Sequence, residues 1–524
     1  MNIPGIEEAR KKILKNVLSL ILLFVLASLF FGQFRLPFTP IWQGNDQWDV
    51  LSDSARMWQG ETIYRDFYEQ TTPGTAVVHL LSFRLFGLRN WIPNLHIILL
   101  GLGLAWLAVV MTRKVISEGP FLTLLPACLF LTFAFFPHLQ DTHRWYSTLA
   151  SMGALAVVME DRALWRLAVA GGLSGIASFF TQTQGVFAIM ALVTFMAWEW
   201  RAGKSTRLEF LKRTTWLFVA FVTIVLATDS YFVWKAGVGR FLDCVLVTPM
   251  TLLSSDRANN SWRVYMTELP QLPHWYNLPG WGRVFFIYAL LPLAYILFLV
   301  HSGRDRTQRT EELRLALLNL MGLFMFASVA MAPSYFRMCT VSAPAFVTLI
   351  YCIRGRGKVR RKLAASLWVV VLYLGAAYPL RVQSSPAAFL HLPRGQMAFS
   401  HPESGEYKML KWLSSHTRPG EFFFATGQAY FFFPLGLRPA EGAGAFDNTG
   451  ATSPEDVRAA VVGLEKYAGR FIEWPPDSTD PSLYRPEEDH LAPLKEYVEK
   501  NYHRVTQFGS PGGTEGGEIW ERNQ

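Results

Sequence analysis

Residues 17–31 read VLSLILLFVLASLFF, an apolar run that follows a basic start and precedes a polar, aromatic-rich stretch. Runs of similar character occur further along, among them residues 91–111, 216–234 and 284–300. Such runs approach the roughly 20 residues that an α-helix needs to cross a hydrocarbon core of about 30 Å. The sequence therefore predicts an α-helical integral membrane protein, with membrane lipids as its surroundings.

The overall composition supports a membrane protein. Of the 524 residues, 51% are hydrophobic and 15% aromatic, which is more apolar than an ordinary soluble chain. The formal net charge is +9, but a basic excess in a multi-pass protein is typical of cytoplasmic loops rather than of a nucleic-acid surface. We therefore predict no nucleic-acid partner.

We predict about eleven membrane-spanning helices in the first three quarters of the chain. They cover residues 16–33, 91–111, 119–136, 145–159, 166–180, 185–199, 215–234, 283–300, 314–331, 338–353 and 363–380. Lys and Arg fall on alternate loops, with about 23 on one side and about 10 on the other. Because cytoplasmic loops carry the positive excess, we predict an inner (plasma) membrane protein with a cytoplasmic N-terminus and an extracytoplasmic C-terminal region.

One apolar segment, residues 73–87, is short for a span and contains His79 and Arg84. If it crossed the membrane, every later loop would change sides and the charge pattern would invert. We therefore predict a helix that lies along the outer interface.

The apolar spans end near residue 383, which predicts two domains. The first is a multi-pass transmembrane domain, residues 1–382, whose first outer loop covers residues 35–90. The second is a soluble outer domain, residues 383–524. Short β-rich runs and capped helix signals alternate within it, which favours a small α/β fold. These signals lie at residues 421–426, 470–474 and 505–508 for strands and at 452–455 and 491–502 for helices.

The first outer loop gathers acids, aromatic residues and arginines. It reads GNDQWDVLSDSARMWQG over residues 44–60 and ETIYRDFYEQTTPG over residues 61–74. Its landmark residues are, in chain order, Asp46, Ala55-Arg56, Gly60, Tyr64-Arg65-Asp66 and Pro73-Gly74.

In these landmarks the stretch resembles the first periplasmic loop of the GT-C glycosyltransferases. The resemblance is closest to family 39, a group of protein O-mannosyltransferases, lipid A aminoarabinose transferases and rhizobial lipopolysaccharide sugar transferases. The order of parts is also similar, since one helix, a long outer loop, a helical bundle and a soluble outer domain follow one another. The resemblance implies a GT-C-like fold.

The resemblance also implies a chemistry: inverting transfer of a sugar from a polyprenyl-phosphate donor to an envelope acceptor, with a loop Asp as general base. A phosphate leaving group needs little protonation, so one carboxylate and a few cations suffice. Asp46 is the predicted base because its offset to Gly60 fits the pattern, and Asp49 is the reserve. The alternative is that both are solvated loop acids.

The second outer loop, PHLQDTHRWY over residues 137–146, carries further candidates. By the resemblance, Asp141 is the second acidic residue of the catalytic site and faces the first loop. We predict that His143 binds the acceptor and that Arg144 binds the lipid phosphate. The alternative is an interfacial anchor made by the aromatic residues and a snorkelling arginine.

The phosphate ligand departs from the family pattern. Many relatives carry a Lys before the Pro that opens the interfacial segment, whereas Thr71-Thr72 stands here. The outer-side arginines Arg65, Arg144, Arg263 and Arg337 are the predicted substitutes, unless they only snorkel. Asp229, in the outer third of an apolar span, is predicted to line the substrate cavity.

The remaining acids and cysteines receive structural roles. We predict surface or capping roles for Asp53 and Asp66. We predict packing roles for the four cysteines, Cys128, Cys244, Cys339 and Cys352. No His/Cys group has metal-ligand spacing, and family 39 members are generally metal-independent, so we predict neither a metal nor a cofactor.

Two other functions stay open. A transporter, flippase or polymer exporter would share the helices and the buried Asp229, but the sequence shows no internal symmetry of paired half-repeats. A non-catalytic member of the same fold would serve as a scaffold in envelope assembly. The identities of the sugar and the acceptor are also open, with glycolipid, polysaccharide and protein acceptors all compatible with the sequence.

Overall fold

The structure is a computed structural model that describes residues 4–43, 47–250, 278–302, 310–355, 357–426, 430–439, 454–474, 491–508 and 517–524. Helices dominate as far as residue 384, and strands become frequent only after it. The helices up to that point are α1 (Pro4–Gln33), α2 (Gln47–Trp58), α3 (Gly74–Phe86), α4 (Ile92–Val115), α5 (Gly119–Phe130), α6 (His143–Val158), α7 (Leu164–Phe180), α8 (Gln182–Arg201), α9 (Arg207–Ala236), α10 (Val238–Leu242), α11 (Leu278–Ser302), α12 (Thr310–Val329), α13 (Tyr335–Thr340), α14 (Ala343–Ile353) and α15 (Lys358–Ser384).

Every predicted span is helical, which confirms the α-helical membrane architecture. Among the described residues, seven helices are long and apolar enough to cross a membrane: α1, α4, α5 with its extension to His138, α9, α11, α12 and α15. The apolar helices α7 and α14 are shorter. The extension of α5 is a π-helical turn, Leu131–Phe135, followed by a 3₁₀ turn. Such a turn inside a helix often accompanies a functional site.

One predicted span, residues 338–353, is divided into α13 and α14. Ser334 caps α13, because its Oγ accepts a hydrogen bond from the backbone N–H of Arg337. Pro344 stands in the first turn of α14, where a missing N–H costs nothing. The two signals end one helix and begin the next within a few residues.

Glycines allow close packing in the bundle. A Cβ added to Gly171 of α7 would lie 2.1 Å from the carbonyl oxygen of Leu217 on α9. A Cβ on Gly185 of α8 would lie 2.4 Å from the carbonyl oxygen of Ser174 on α7. Small residues at such crossings let helix backbones approach closely. Close packing matters in a membrane because the hydrophobic effect does not drive helices together in lipid.

The segment after α15 forms a hairpin and a mixed sheet, which agrees with the predicted small α/β region. The hairpin pairs β3 (Ala388–Leu392) with β4 (Gly395–Phe399) in antiparallel register. The sheet has the order β6-β5-β7-β9-β8, with β5 parallel to β6 and β7 and with β9 antiparallel to its two neighbours. Its strands are β5 (Phe422–Ala425), β6 (Arg438–Pro439), β7 (Phe471–Trp474), β8 (Tyr502–Gln507) and β9 (Glu518–Arg522), and the helices around it are α16 (Gly405–His416), α17 (Phe432–Leu435), α18 (Pro454–Tyr467) and α19 (Ala492–Asn501).

The long loop between α1 and α4 packs against this C-terminal segment. It begins with a short antiparallel pair, β1 (Phe34–Arg35) and β2 (Thr39–Pro40). The backbone N–H of Trp42 then donates to the carbonyl oxygen of Ala398, at 2.8 Å. The ring of Trp42 stacks on that of Trp48 at 4.3 Å, and Phe83 of α3 stacks on Phe433 of α17 at 5.3 Å. The loop is therefore held between the bundle and the C-terminal segment.

Candidate functional site

The first loop presents its acids from α2. Trp48 and Leu51 are buried on one face of this helix, whereas Asp49 in its first turn is partly exposed. A carboxylate in the first turn interacts favourably with the helix dipole. The predicted base Asp46 and the predicted phosphate ligand Arg263 lie outside the described residues.

The start of α2 is hydrogen-bonded to the second loop. The indole Nε1 of Trp48 donates to the carbonyl oxygen of Gln43 at 2.6 Å. The side chain of Gln47 reaches further, since its Oε1 accepts the backbone N–H of Asp141 at 3.1 Å. These contacts place Gln47, the residue after Asp46, against the loop that carries Asp141.

Asp141 is fully buried among polar groups from three helices. Its Oδ2 lies 2.9 Å from Nδ1 of His96 on α4 and 3.2 Å from Nε2 of His79 on α3. Ser82 stands one turn after His79 on the same helix, and its Oγ lies 2.8 Å from Nε2 of His96. The hydroxyl of Tyr146 on α6 lies 3.0 Å from Nδ1 of His96. These five residues are referred to below as the Asp141 cluster.

Ser82 can support either tautomer of His96. Its hydroxyl has one proton, and the carbonyl oxygen of Val78 at 3.0 Å and Nε2 of His96 at 2.8 Å can each accept it. When Ser82 donates to Nε2, Nδ1 of His96 carries a proton and donates it to Asp141 at 2.9 Å. When Ser82 donates to Val78, it accepts the Nε2–H of His96 and leaves the Nδ1 lone pair for another partner.

Burial and mutual contact set the protonation of this group. Burial lowers the pKa of His79 to about 4, against the opposing charge of Asp141. Burial alone would raise the pKa of Asp141, but the positive charge that His79 and His96 carry when protonated, and hydrogen bonds from His96 and Tyr146, hold that pKa below its ordinary value. Asp141 therefore remains a carboxylate although it is 0% exposed.

A second acidic group lies deeper in the first loop. The carboxyl of Asp53 is hydrogen-bonded to Glu69, and burial together with the charge of Glu69 raises the pKa of Asp53 well above its ordinary value. This differs from the predicted surface or capping role, because Glu69 approaches Asp53 only once the loop is folded. Asp66 does cap, since its Oδ2 accepts the backbone N–H of Thr62 at 2.6 Å.

The Tyr-Arg-Asp element of the first loop is inserted against α9 and α10. Tyr64 is fully buried with φ at +69°, and its ring meets Phe241 edge-on at 5.3 Å. Its hydroxyl donates to the carbonyl oxygen of Thr71 at 2.5 Å. Asp229 of α9 lies close enough to Tyr64 to act on it electrostatically. The structure therefore brings Asp229 beside the first loop.

Arg240 is a further basic residue at this position that the sequence interpretation missed. Its Nε donates to the carbonyl oxygen of Tyr64 at 3.4 Å, and its Nη1 lies 3.5 Å from Asp243. Its side chain is 49% exposed, so it is accessible to an anion. The available signal was a basic residue just after the long apolar helix that carries Asp229.

Three predicted substrate-binding residues converge at the start of α6. Arg144 is the neighbour of His143, and Arg337 comes from α13, far along the chain. Both arginines lie close enough to His143 to act on it electrostatically. Arg65 lies elsewhere, on the exposed side of the first loop, and its Nε and Nη2 donate to Asp66 at 2.9 and 2.7 Å.

Two structures of one protein resemble this one over nearly the whole chain. ArnT from Cupriavidus metallidurans bound to undecaprenyl phosphate matches with a TM-score of 0.58 and 12% identity, covering 96% of this chain and 97% of that one. ArnT in the apo state matches with a TM-score of 0.56 and 12% identity, covering 96% and 98%. The arabinofuranosyltransferase AftD from Mycobacteria matches with a TM-score of 0.48 and 13% identity, covering 97% of this chain and 40% of that one.

No protein-family model matches the sequence, and no curated protein matches it. The fold is nevertheless the GT-C fold, since the ArnT match includes the bundle, the long first loop and the C-terminal segment. This confirms the fold that the first-loop landmarks implied. The chain is accordingly a multi-pass membrane protein.

Proposed function

We propose that this protein is an inverting glycosyltransferase that moves a sugar from a polyprenyl-phosphate donor to a cell-envelope acceptor. The observation that carries the proposal is the end-to-end match with ArnT, which covers 96% of this chain and 97% of that one. The matched structure binds undecaprenyl phosphate, so this architecture accommodates a polyprenyl phosphate. The acceptor is a glycolipid, a polysaccharide or a protein.

The base in this mechanism is a carboxylate of the first loop, with Asp46 as first choice and Asp49 as reserve. The base takes the proton of the acceptor hydroxyl while that oxygen attacks the anomeric carbon. The bond from that carbon to the phosphate oxygen breaks, and its electron pair leaves with the polyprenyl phosphate. The partial exposure of Asp49 supports a base in this loop, because a base must reach an incoming hydroxyl.

Asp141 supports the site in a different way. It is 0% exposed and its Oδ2 already contacts two imidazoles, so it is poorly placed to accept a proton from an acceptor. Its backbone N–H instead holds Gln47, which stands next to Asp46 in the sequence. We assign Asp141 the role of a positioning residue.

The donor phosphate would be held by arginines. Arg144 and Arg337 are the strongest candidates because both act electrostatically on His143, from α6 and α13, and both are partly exposed. Guanidinium groups suit a phosphate since each offers paired N–H donors. Arg240 is a further candidate at the Tyr64 side of the loop, where its contact with Asp243 is a single one at 3.5 Å. Arg65 is more firmly paired, with two hydrogen bonds to Asp66 at 2.9 and 2.7 Å.

We further propose that this chemistry takes place on the outer face of the inner membrane, with a cytoplasmic N-terminus. The alternation of Lys and Arg between loops supports this orientation. The transmembrane domain would then be residues 1–382, and residues 383–524 would form the extracytoplasmic domain.

The test uses membranes that contain wild type, Asp46→Asn or Asp49→Asn at equal levels, supplied with a panel of radiolabelled polyprenyl-phosphate sugars. Wild type should transfer sugar, and loss of the base should reduce the rate at least about a hundredfold. Asp161→Asn is the matched control, because Asp161 is an exposed carboxylate before α7 whose contacts are the backbone N–H of Ala163 and the side chain of Arg166. Donor that crosses the bilayer uncleaved in wild type would favour the flippase alternative instead.

A further inference from the structure

Three potential metal-ligand atoms converge in the Asp141 cluster. Nε2 of His79, Nδ1 of His96 and a carboxylate oxygen of Asp141 all lie within 4.8 Å of one another. In a tetrahedral zinc site, ligand atoms about 2.0–2.1 Å from the ion lie about 3.3 Å from each other. The two contacts of Asp141 Oδ2, at 2.9 and 3.2 Å, are already close to that spacing.

Several polar atoms of His79 and Asp141 lack hydrogen-bond partners among the described residues. Both ring nitrogens of His79 and Oδ1 of Asp141 are buried without a partner among the described residues. Buried polar atoms are paired in the great majority of native structures, so each exception calls for an explanation. A cation between the imidazoles and the carboxylate would satisfy Nε2 of His79.

His96 already has the second partner that a metal-binding histidine needs. Its Nε2 lies 2.8 Å from Oγ of Ser82, which can accept an Nε2–H while it donates to the carbonyl oxygen of Val78. A metal ion at Nδ1, 2.9 Å from the Asp141 carboxylate, would replace the proton that otherwise joins these two atoms. The arrangement is also the usual one for a metal-binding histidine, in which the second ring nitrogen donates to a supporting oxygen.

We propose that His79, His96 and Asp141 bind a divalent transition-metal ion, zinc being the best fit. Two imidazoles and one carboxylate are a common zinc donor set. Ser82 supports the site by accepting from His96. The hydroxyl of Tyr146, 3.0 Å from Nδ1 of His96, is the nearest candidate for a fourth ligand.

The position of the site indicates a structural role. The ion would join α3, α4 and the loop that precedes α6, three elements that are separate in the sequence. Through the bond from Asp141 N–H to Gln47, it would also set the position of the first turn of α2. The metal would therefore hold the first loop on the bundle rather than take part in sugar transfer.

The distances from Ser82 to His96 and from His96 to Asp141, 2.8 and 2.9 Å, also resemble a hydrolytic Ser-His-Asp triad. Burial opposes that interpretation, because Ser82 is only 9% exposed and a nucleophilic serine must reach the carbonyl carbon of its substrate. A triad also gives no role to His79, whose Nε2 lies 3.2 Å from the same carboxylate oxygen. The metal site uses all three side chains.

The test measures zinc in the purified full-length chain, prepared with a tag that contains no histidine. Wild type should retain about one zinc per chain after exposure to zinc and dialysis, as a three-ligand protein site would. His79→Gln and His96→Gln should each lower zinc content at least about tenfold. His138→Gln is the matched control, because His138 is half-buried just before Asp141 in the chain, packs against Tyr335 with ring centroids 4.8 Å apart, and is not one of the three converging ligands.

Two further measurements guard against misfolding of the variants. Cobalt bound to wild type should give the visible absorption of a tetrahedral nitrogen–oxygen site, without any substitution in the chain. Ser82→Ala keeps all three ligands and should weaken zinc affinity by about 10- to 100-fold, as loss of a supporting hydrogen bond does. Wild type that binds neither zinc nor cobalt, or variants that keep full zinc, would overturn the proposal. Zinc content does not depend on sugar transfer, so the two proposals are tested separately.

Discussion

Asp49 and Asp141 are two carboxylates on adjoining loops with opposite surroundings. Asp49 lies in the first turn of α2 and is partly exposed, whereas Asp141 is 0% exposed and touches two imidazoles. Asp49 lies in the same helical turn as Gln47, and the backbone N–H of Asp141 donates a hydrogen bond to the Gln47 side chain. This contrast is the reason for the two proposed roles, since Asp49 is accessible to a substrate hydroxyl and Asp141 is not.

The largest expected effect is on stability and follows from Asp141→Ala. The substitution leaves His79 and His96 buried without their shared partner, which costs on the order of 3 kcal/mol in the free energy of unfolding. Thermal unfolding of the purified chain should show a clearly lower midpoint, while Asp49→Ala should leave the midpoint nearly unchanged. Equal midpoints for the two variants would contradict the different surroundings of Asp141 and Asp49.

A second prediction concerns Gly74, the first residue of α3, which carries His79. A Cβ at this position would lie 2.4 Å from the carbonyl oxygen of Phe179, so Gly74→Ala must displace α3 from α7. We expect a loss of about 1–3 kcal/mol in unfolding free energy, the usual range for overpacking. Gly239→Ala is the control, since nothing lies within 4 Å of its added Cβ. Similar unfolding midpoints in the two variants would contradict the packing of α3.

A third prediction ranks the arginines. Arg144→Gln and Arg337→Gln should each raise the KM for the polyprenyl-phosphate donor about tenfold, because each removes a charged hydrogen-bond donor to phosphate. Arg65→Gln should have a smaller effect, since its guanidinium is paired with Asp66. Initial rates at varied donor concentration measure the three values. A larger effect at Arg65 would move the phosphate site to the exposed side of the first loop.

The smallest effect is a pH dependence at Asp53. Its pKa is raised in the folded protein by burial and by Glu69, from an ordinary value of 3.8. The stabilisation linked to this group is therefore present below pH 3.8 and is lost as the pH rises through the raised pKa. As the pH rises through the raised pKa of Asp53, Asp53→Asn should become more stable relative to wild type. Unfolding midpoints of both proteins at several pH values measure this difference. A constant difference would show that Asp53 titrates normally.

The helical membrane architecture was predictable because apolar length acts locally along the chain. All eleven predicted spans fall on helices, and seven of these helices are long and apolar enough to cross a membrane among the described residues. The division of residues 338–353 into α13 and α14 was less clear, since the short caps at Ser334 and Pro344 lie within an otherwise continuous apolar run. The first-loop landmarks also predicted the GT-C fold, which the match with ArnT confirms.

The contacts within the site were largely unpredictable. His79 looked like an interfacial residue and His96 lay unnoticed in a span, because their approach to Asp141 depends on how three helices pack. Asp53 and Glu69 are likewise distant in the sequence, so their pairing depends on the fold of the first loop. In contrast, the pairing of Arg65 with Asp66 joins sequence neighbours. The roles predicted for Asp46, Asp49, Asp141, Arg144 and Asp229 stay predictions.

The most direct test of the proposed function uses the purified chain in proteoliposomes with a polyprenyl-phosphate sugar and an envelope acceptor fraction. Wild type should release polyprenyl phosphate in step with sugar transfer, and the product should have the opposite anomeric configuration to the donor. Asp46→Asn should release at least about a hundredfold less. No release by wild type above the protein-free background, with any donor of the panel, would contradict the account.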